Sequence, residues 1–426
     1  MLFTLGVLLY TLGILLAALL GHPKAKQWVE GRWHQRKAYI PDTVDESNER
    51  WVWFHAASLG EFEQGRPVIE ALKQAHPEYK ILLSFFSPSG YEVRKNYAYA
   101  DEVLYLPADM PWNASKWVRH HHFVAAFFIK YEFWFNYMRA LKKEGIPLFY
   151  ISLILDKKSF FFKPYGKWFR RQLDAVTHFF VQDEDTVALL HNVGYDNVTL
   201  CGDTRFDRVA AIAEQAKPFP EVERFINGRK CIIAGSTWPP DERLLNDFLP
   251  KLPDDYCLIV APHDVSESHV ERIKAMFPQA TLYTEWSALP PCHTEAQPSV
   301  SMGKKPTKIL IINTIGILSQ LYQYARFVYI GGGFGVNIHN IQEPVTFGCP
   351  VVFGPKYKSF KEAVDLVALG GAFTISDAAE LESIFTRLIA DEPFYTKASQ
   401  TCSDYLKSQV GATEIIMKSF ENTLFS

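Results

Sequence analysis

From Trp51 onward, short apolar runs alternate with amphipathic stretches, a pattern that belongs to strand–helix units built around a parallel sheet. WVWFHAA (Trp51 to Ala57) reads as a buried strand, and Glu63 to His76 as the helix after it. KILLSFF, EVLYLPA, FVAAFFI, PLFYISL and THFFVQD supply further strands before residue 185. A polar stretch with Pro218, Pro220 and Gly228 precedes a second series: CIIAGS, YCLIVAP, KILIINT, RFVYIGG and PVVFG. Two α/β halves follow, with bounds expected at 23–217 and 218–426. Open sheets of this kind bind ligands at the carboxyl ends of their strands, so the site is expected where strand ends face each other across a cleft. The stretch from Trp286 to Pro306, rich in Pro, Ser and Thr, reads as a surface loop.

Residues 1–22 stand apart. Leu2 to Leu20 carry no charge, which is close to the ~20 residues a helix needs to cross a bilayer. Lys24, Lys26, Arg32, Arg36 and Lys37 follow at once, and the positive-inside rule then places the rest of the chain on the cytoplasmic face, beside anionic headgroups. The segment is expected to be a membrane anchor rather than a buried core helix or a cleaved leader. The 426 residues carry a formal net charge of −3, which gives no global reason to expect a nucleic-acid partner. The six cysteines are scattered, with no CxxC pair and no Cys/His group at metal-ligand spacing, so neither a zinc site nor a disulfide framework is indicated. His120, His121 and His122 point in different directions on any regular element and do not suggest a shared metal.

Four loops could carry chemistry. In HAASLGEFEQGRP a buried strand ends at small residues before a helix whose first turn holds Glu61 and Glu63; these carboxylates either serve a cleft or complement the helix dipole. In IGGGFGVNIHNIQEP the glycines permit close backbone approach to a phosphate or make a tight packed turn, and the spacing fits neither a dinucleotide fingerprint nor a P-loop. AGSTWPPDE offers Ser236 and Thr237 at a strand end, with a helix cap as the plainer reading. VQDEDT contains a D-x-D at Asp183 and Asp185, better explained by an Asp cap with acidic residues in the first helical turn.

Taken in order, these loops resemble the Kdo (3-deoxy-D-manno-octulosonic acid) transferases, glycosyltransferase family 30. HAASLGEF resembles the family's H-x-x-S-x-G-E segment, KYEFW (Lys130 to Trp134) its E-x-E-x-W, CGDTRFD its G-N-x-K-F-D, AGSTWPPDE its A-G-S-T, and GGGFGVNIHNIQEP its G-G-x-x-x-x-x-G-H-N-x-x-E-P. Departures are Lys130 for the first Glu of E-x-E-x-W, Ala261-Pro262-His263 without the arginine of P-R-H, Asn313 to Leu318 for D-T-x-G-E-L, and no arginine after the strand ending near Ser152.

The resemblance implies a GT-B fold, with an N-terminal acceptor-binding domain, a C-terminal nucleotide-sugar domain and a last helix that can return to the first. It implies transfer of Kdo, with inversion, from CMP-Kdo to a lipid A precursor at the inner membrane, without a metal or other cofactor. Glu61 matches the base, with Glu63 as its less favoured neighbour. Ser58, Gly60, Lys130 and Glu132 fall on the acceptor side; Ser236, Thr237, Pro262, His263, Gly332, Gly333, His339 and Asn340 fall on the donor side, with Glu343 at the ribose. Another GT-B enzyme acting on a UDP-sugar, or a sensor without turnover, is the alternative.

Overall fold

The structure, a computed structural model, describes residues 2–39, 49–289 and 307–425, with the side chains of 36–39 outside the description. Cys292 and most of the expected Trp286–Pro306 loop also lie outside it. The chain forms two compact units, 1–207 with 409–426, and 208–408. The first unit thus takes in the expected anchor segment, and the division falls ten residues before the expected boundary at 217/218.

The first unit holds a seven-stranded parallel sheet of β1 (Trp51–Ala56), β2 (Lys80–Phe85), β3 (Glu102–Tyr105), β4 (Phe123–Ile129), β5 (Leu148–Leu153), β6 (His178–Val181) and β7 (Val198–Leu200). Its order is β3-β2-β1-β4-β5-β6-β7. The direction of winding reverses between β1 and β4, and at such a reversal the following loops part and leave a crevice at the carboxyl ends. Every residue of β1 is buried, as a central strand covered on both faces requires. One face packs Trp53, Trp117, Phe128 and Tyr150. The other packs Phe54, Phe127 and Phe149 against Ile416, Met417 and Phe420 of the last helix, Ala412–Phe425, so that helix completes the first unit's core.

The second unit repeats the plan with β8 (Lys230–Thr237), β9 (Tyr256–Pro262), β10 (Thr281–Leu282), β11 (Ile309–Ile311), β12 (Ala325–Ile330), β13 (Val351–Phe353) and β14 (Ala372–Thr374), in the order β10-β11-β9-β8-β12-β13-β14. Here the reversal lies between β8 and β12. The sequence does not announce β7, β10 or β14: all three are short and at a sheet edge or beside one, where few apolar residues are needed.

The N-terminal apolar run forms α1 (Leu2–Leu19), which turns through 112° into α2 (Pro23–Tyr39). Among the described residues no single helix is long and apolar enough to cross a membrane, although this bent pair passes the same test of length and composition when taken together. One stripe of α1 packs on the first unit, with Phe3 against Phe135 at 4.9 Å between ring centroids and Tyr10 against Phe86 at 6.3 Å. The opposite stripe, including Leu5, Leu9, Leu12 and Leu16, is exposed. The basic flank divides too. Lys24 and Lys26 are exposed, but Arg32 is internal: its Nε donates to the Leu106 carbonyl at 2.9 Å, and its guanidinium lies 3.7 Å from the Trp28 ring centre. Arg32 is therefore a packing residue rather than a headgroup contact.

Candidate active site

In the first unit, the segments that follow β1 and β4 meet at the reversal point. The helix after β1, α3 (Leu59–Ala75), begins four residues earlier than its apolar pattern suggests, because Ser58 and Glu61 form a capping box. Glu61 Oε2 accepts from the Ser58 backbone N–H at 2.7 Å and from the Ser58 hydroxyl at 2.9 Å. One oxygen takes both bonds, so Oε1 is not part of the cap. Burial raises the Glu61 carboxyl above the usual carboxylate range, the charge of Glu132 adds to that, and the Ser58 bonds and His55 oppose it. A carboxylate held in place with a raised pKa suits a group that must take a proton. Glu63 is differently placed: Arg94 holds it at 2.7 Å and Arg66 at 3.8 Å. Gly60 is exposed in the first turn of α3.

The β4 side supplies Lys130 and Glu132. Lys130 has a φ of 59°, a left-handed conformation that bulky residues adopt only when their surroundings compel it. Glu132 Oε2 accepts from Trp134 Nε1 at 2.8 Å, and the Glu132 carbonyl accepts from the Tyr150 hydroxyl at 2.8 Å. The same Oε2 lies 3.7 Å from Nε2 of His55, a fully buried residue of β1. His55 Nδ1 shares a hydrogen bond with Ser84 Oγ at 2.8 Å, while Trp53 Nε1 donates to that oxygen at 2.7 Å. The Ser84 hydroxyl also reaches the Phe54 carbonyl at 3.4 Å, so its proton has two acceptors within reach and His55 Nε2 faces Glu132 in either tautomer. His55 stands in the first of the motifs, HAASLGEF, whose pattern assigns it no task. Its signal was a histidine in an otherwise apolar buried strand.

In the second unit, the carboxyl ends of β8, β9 and β12 gather most of the expected donor residues. Ser236 sits at φ 53°, and the Thr237 hydroxyl, fully buried, donates to Glu242 Oε1 at 3.2 Å. His269 Nε2 meets the same Glu242 oxygen at 2.9 Å. Pro262 ends β9, and the His263 backbone N–H donates to the Thr237 carbonyl at 3.0 Å. The His263 and His339 rings stack at 4.3 Å, Trp238 stacks on His263 at 4.8 Å, and Trp238 Nε1 donates to His339 Nε2 at 2.9 Å. Burial, and then His263, lower the pKa of His339. A neutral Nε2 is what the indole bond requires, so His339 acts here as an acceptor and not as a cation.

The glycine loop is shaped first by packing. A Cβ on Gly331 would lie 2.3 Å from the Ser236 carbonyl oxygen, and one on Gly333 would lie 2.7 Å from the Gly354 backbone. Gly332 has a φ of +90°, and its N–H donates to Asp241 Oδ2 at 3.0 Å. Asp241 also accepts from the Trp238 N–H at 2.9 Å and the Tyr329 hydroxyl at 2.7 Å. Asp241, in the first turn of the helix Pro239–Phe248 that follows β8, thus fastens the glycine loop to that helix. Beyond the loop, Asn340 Nδ2 donates to Glu343 Oε1 at 3.3 Å; burial raises the Glu343 carboxyl, opposed by Asn340 and Arg208.

The D-x-D reading finds a plain role for its first residue: Asp183 caps the helix Glu184–His191, accepting from the Thr186 N–H at 2.7 Å. Among the described residues no group of three or more His, Cys, Asp or Glu is arranged to hold a metal ion. Five cysteines described are free thiols. Asn313, at the departure from D-T-x-G-E-L, is tied to Thr284 by two hydrogen bonds at 3.2 and 2.8 Å.

Comparison with known proteins agrees with this layout. Residues 31–208 match the family model described as 3-deoxy-D-manno-octulosonic-acid transferase (kdotransferase). A 3-deoxy-D-manno-octulosonic acid transferase of Aquifex aeolicus is 25% identical over 83% of this chain and 90% of its own length. One from Chlamydophila psittaci is 23% identical over 91% and 90%. Among solved structures, the UDP-GlcNAc 2-epimerase of Neisseria meningitidis bound to UDP-GlcNAc superposes with a TM-score of 0.59 at 15% identity, covering 88% of this chain and 100% of that one, a likeness of fold. The motifs lie in order along both units, the two doubly wound sheets are of GT-B type, and the chain is similar to Kdo transferases over most of its length, with the family model itself matching almost wholly within the first unit.

Proposed function

We propose that this protein transfers Kdo from CMP-Kdo to a sugar hydroxyl of a lipid A precursor, as a step in lipopolysaccharide synthesis. The observation that carries the reading is Glu61: a carboxylate at the switch point of the first sheet, fixed by Ser58 and raised in pKa by burial and by Glu132. Glu61 takes the acceptor hydroxyl proton while the acceptor oxygen bonds to the anomeric carbon. The anomeric carbon's bond to the phosphate oxygen breaks, CMP leaves, and the configuration inverts. Ser236, with His339 and Asn340 at the end of the glycine loop, contacts the departing phosphate, the buried Thr237 hydroxyl supports the strand end through Glu242, and Glu343 accepts from the ribose hydroxyls. No metal is needed for one phosphate charge, given backbone N–H groups and neutral donors around it. The exposed leucines of α1 and the basic Lys24 and Lys26 support an interfacial placement of the first unit at the cytoplasmic face of the inner membrane.

The test is incubation of the full chain with CMP-Kdo and a lipid A precursor, read by mass spectrometry. A product heavier by one or more Kdo residues, with matching release of CMP, is expected. Release of CMP without a glycosylated product, or turnover of a UDP-sugar with tighter binding of UDP than of CMP, would replace this reading with the alternative that the epimerase-like fold permits.

A further inference from the structure

The first unit contains a cavity of about 250 Å³ that the transfer chemistry leaves unused. One wall is the inward stripe of α1, with Phe3, Gly6, Val7 and Tyr10 at helical spacing; Trp28, Phe86 and Trp134 are opposite. The lining is almost wholly apolar, and even the Thr11 hydroxyl turns away to the Val7 carbonyl at 2.8 Å. Pockets for compact ligands run from roughly 300 to 1,000 Å³. This smaller space, under a helix, suits a slender chain.

Three features bear on its occupant. Trp134 lines the cavity and donates to Glu132, so the cavity shares a wall with the carboxylate cluster. Trp28, 7% exposed, lines the opposite wall with the apolar part of its ring, its indole N–H being buried away from the cavity surface. Gly6 sits inside α1, where glycine is disfavoured, yet a Cβ there would meet nothing within 4 Å. A larger side chain at this position would therefore enter the open space of the cavity rather than clash.

Resting on the reading of a lipid acceptor, we infer that this cavity holds part of one acyl chain of that acceptor. The outward leucines of α1 set the cavity's roof against hydrocarbon, and the shared Trp134 wall ties the chain's position to that of the sugar beside Glu132. The protein then selects its acceptor by lipid as well as by carbohydrate.

The experiment uses the full chain in detergent, with Gly6→Leu to fill the cavity and Trp28→Phe to shorten its opposite wall. Each is assayed with an acylated acceptor and with the same sugar lacking acyl chains. Gly6→Leu should raise KM about tenfold for the acylated acceptor and leave kcat and the acyl-free acceptor unchanged; Trp28→Phe should act in the same direction, about threefold. Equal effects on both acceptors, or none on either, overturn the inference. If wild type uses neither acceptor, the functional reading has failed, and the cavity is read separately with a diazirine-bearing fatty acid. Labelling of the α1 peptide in wild type and its loss in Gly6→Leu support chain binding, and equal labelling refutes it. Lost labelling with unchanged KM assigns the cavity to a bilayer lipid and overturns the acceptor role.

Discussion

Glu61→Gln separates the chemical role of this residue from its structural one. Glutamine at the third helical position can still close the capping box, because its amide oxygen can accept from the Ser58 N–H and hydroxyl as Glu61 Oε2 does. Folding should therefore be nearly unaffected. Glu61→Ala removes both bonds, and loss of such a cap costs about 1 kcal/mol, or roughly 2–4 °C in the melting temperature of a domain of this size. Catalysis should respond differently. Either change removes the group that takes the acceptor proton, a contribution of about 10²–10⁴-fold in turnover, equivalent to roughly 3–5 kcal/mol at 1.36 kcal/mol per tenfold.

The two variants should therefore share the loss in kcat and differ in melting temperature, with CMP affinity normal in both. Transfer rates with CMP-Kdo and lipid acceptor, calorimetric CMP titration and thermal melts supply the three readings. The pH profile adds a fourth. A base must be deprotonated to act, and Glu132 raises the Glu61 pKa, so Glu132→Gln should move the acidic limb of kcat/KM to lower pH. Turnover of Glu61→Gln within a few-fold of wild type would refute the assignment; since Glu63 is held by Arg94, the Glu63→Gln variant would be the next to test.

Glu343→Ala should weaken CMP binding by about 10–100-fold, the range for losing hydrogen bonds to a charged group, with CMP affinity measured by calorimetry. Asp241→Asn places an amide where three donors converge, and it should lower both the melting temperature and CMP affinity through the glycine loop. His339 has a lowered folded pKa, so its neutral form is favoured by folding; stability should be intact above the ordinary histidine range and fall as pH drops through it toward the lower folded value, which thermal melts across that range would show. Activity should survive EDTA, and a strict divalent-metal requirement would return attention to Asp183 and Asp185. Deleting residues 1–22 should release the protein from membranes and leave CMP binding intact, while lowering the first unit's melting temperature, because Phe3 and Tyr10 cover Phe135 and Phe86.

Central strands were legible because they are buried on both faces and read as continuous apolar runs; β1 is the clearest case. Glu61 and Glu343 were legible as residues of ordered motifs. The sequence set a cleft role for Glu61 against a helix-dipole role; the capping box with Ser58 and the carboxyl raised by burial are additions of the structure. What escaped was long-range pairing. Nothing local to His55 reveals Glu132, 77 positions later, or its hydrogen-bond partner Ser84. Likewise, nothing local to Asp241 reveals Gly332 or Tyr329, which folding brings to it. Arg32 was misread for the same reason: a basic residue after an apolar run looks like a headgroup contact until Phe86 and Leu106 present their carbonyls.

The helix Ala412–Phe425 also has a consequence for how the chain is made. It contributes Ile416, Met417 and Phe420 to a core whose other members precede residue 208, and the whole second unit is synthesised in between. At ~5–20 residues per second, those about 200 residues occupy the ribosome for roughly 10–40 s. Throughout that interval Phe127 and Phe149 lack their final partners, so the first unit emerges first but closes last. The nascent chain therefore carries an open aromatic face for as long as its own insertion takes to translate, a window in which a chaperone or the membrane surface must shield it.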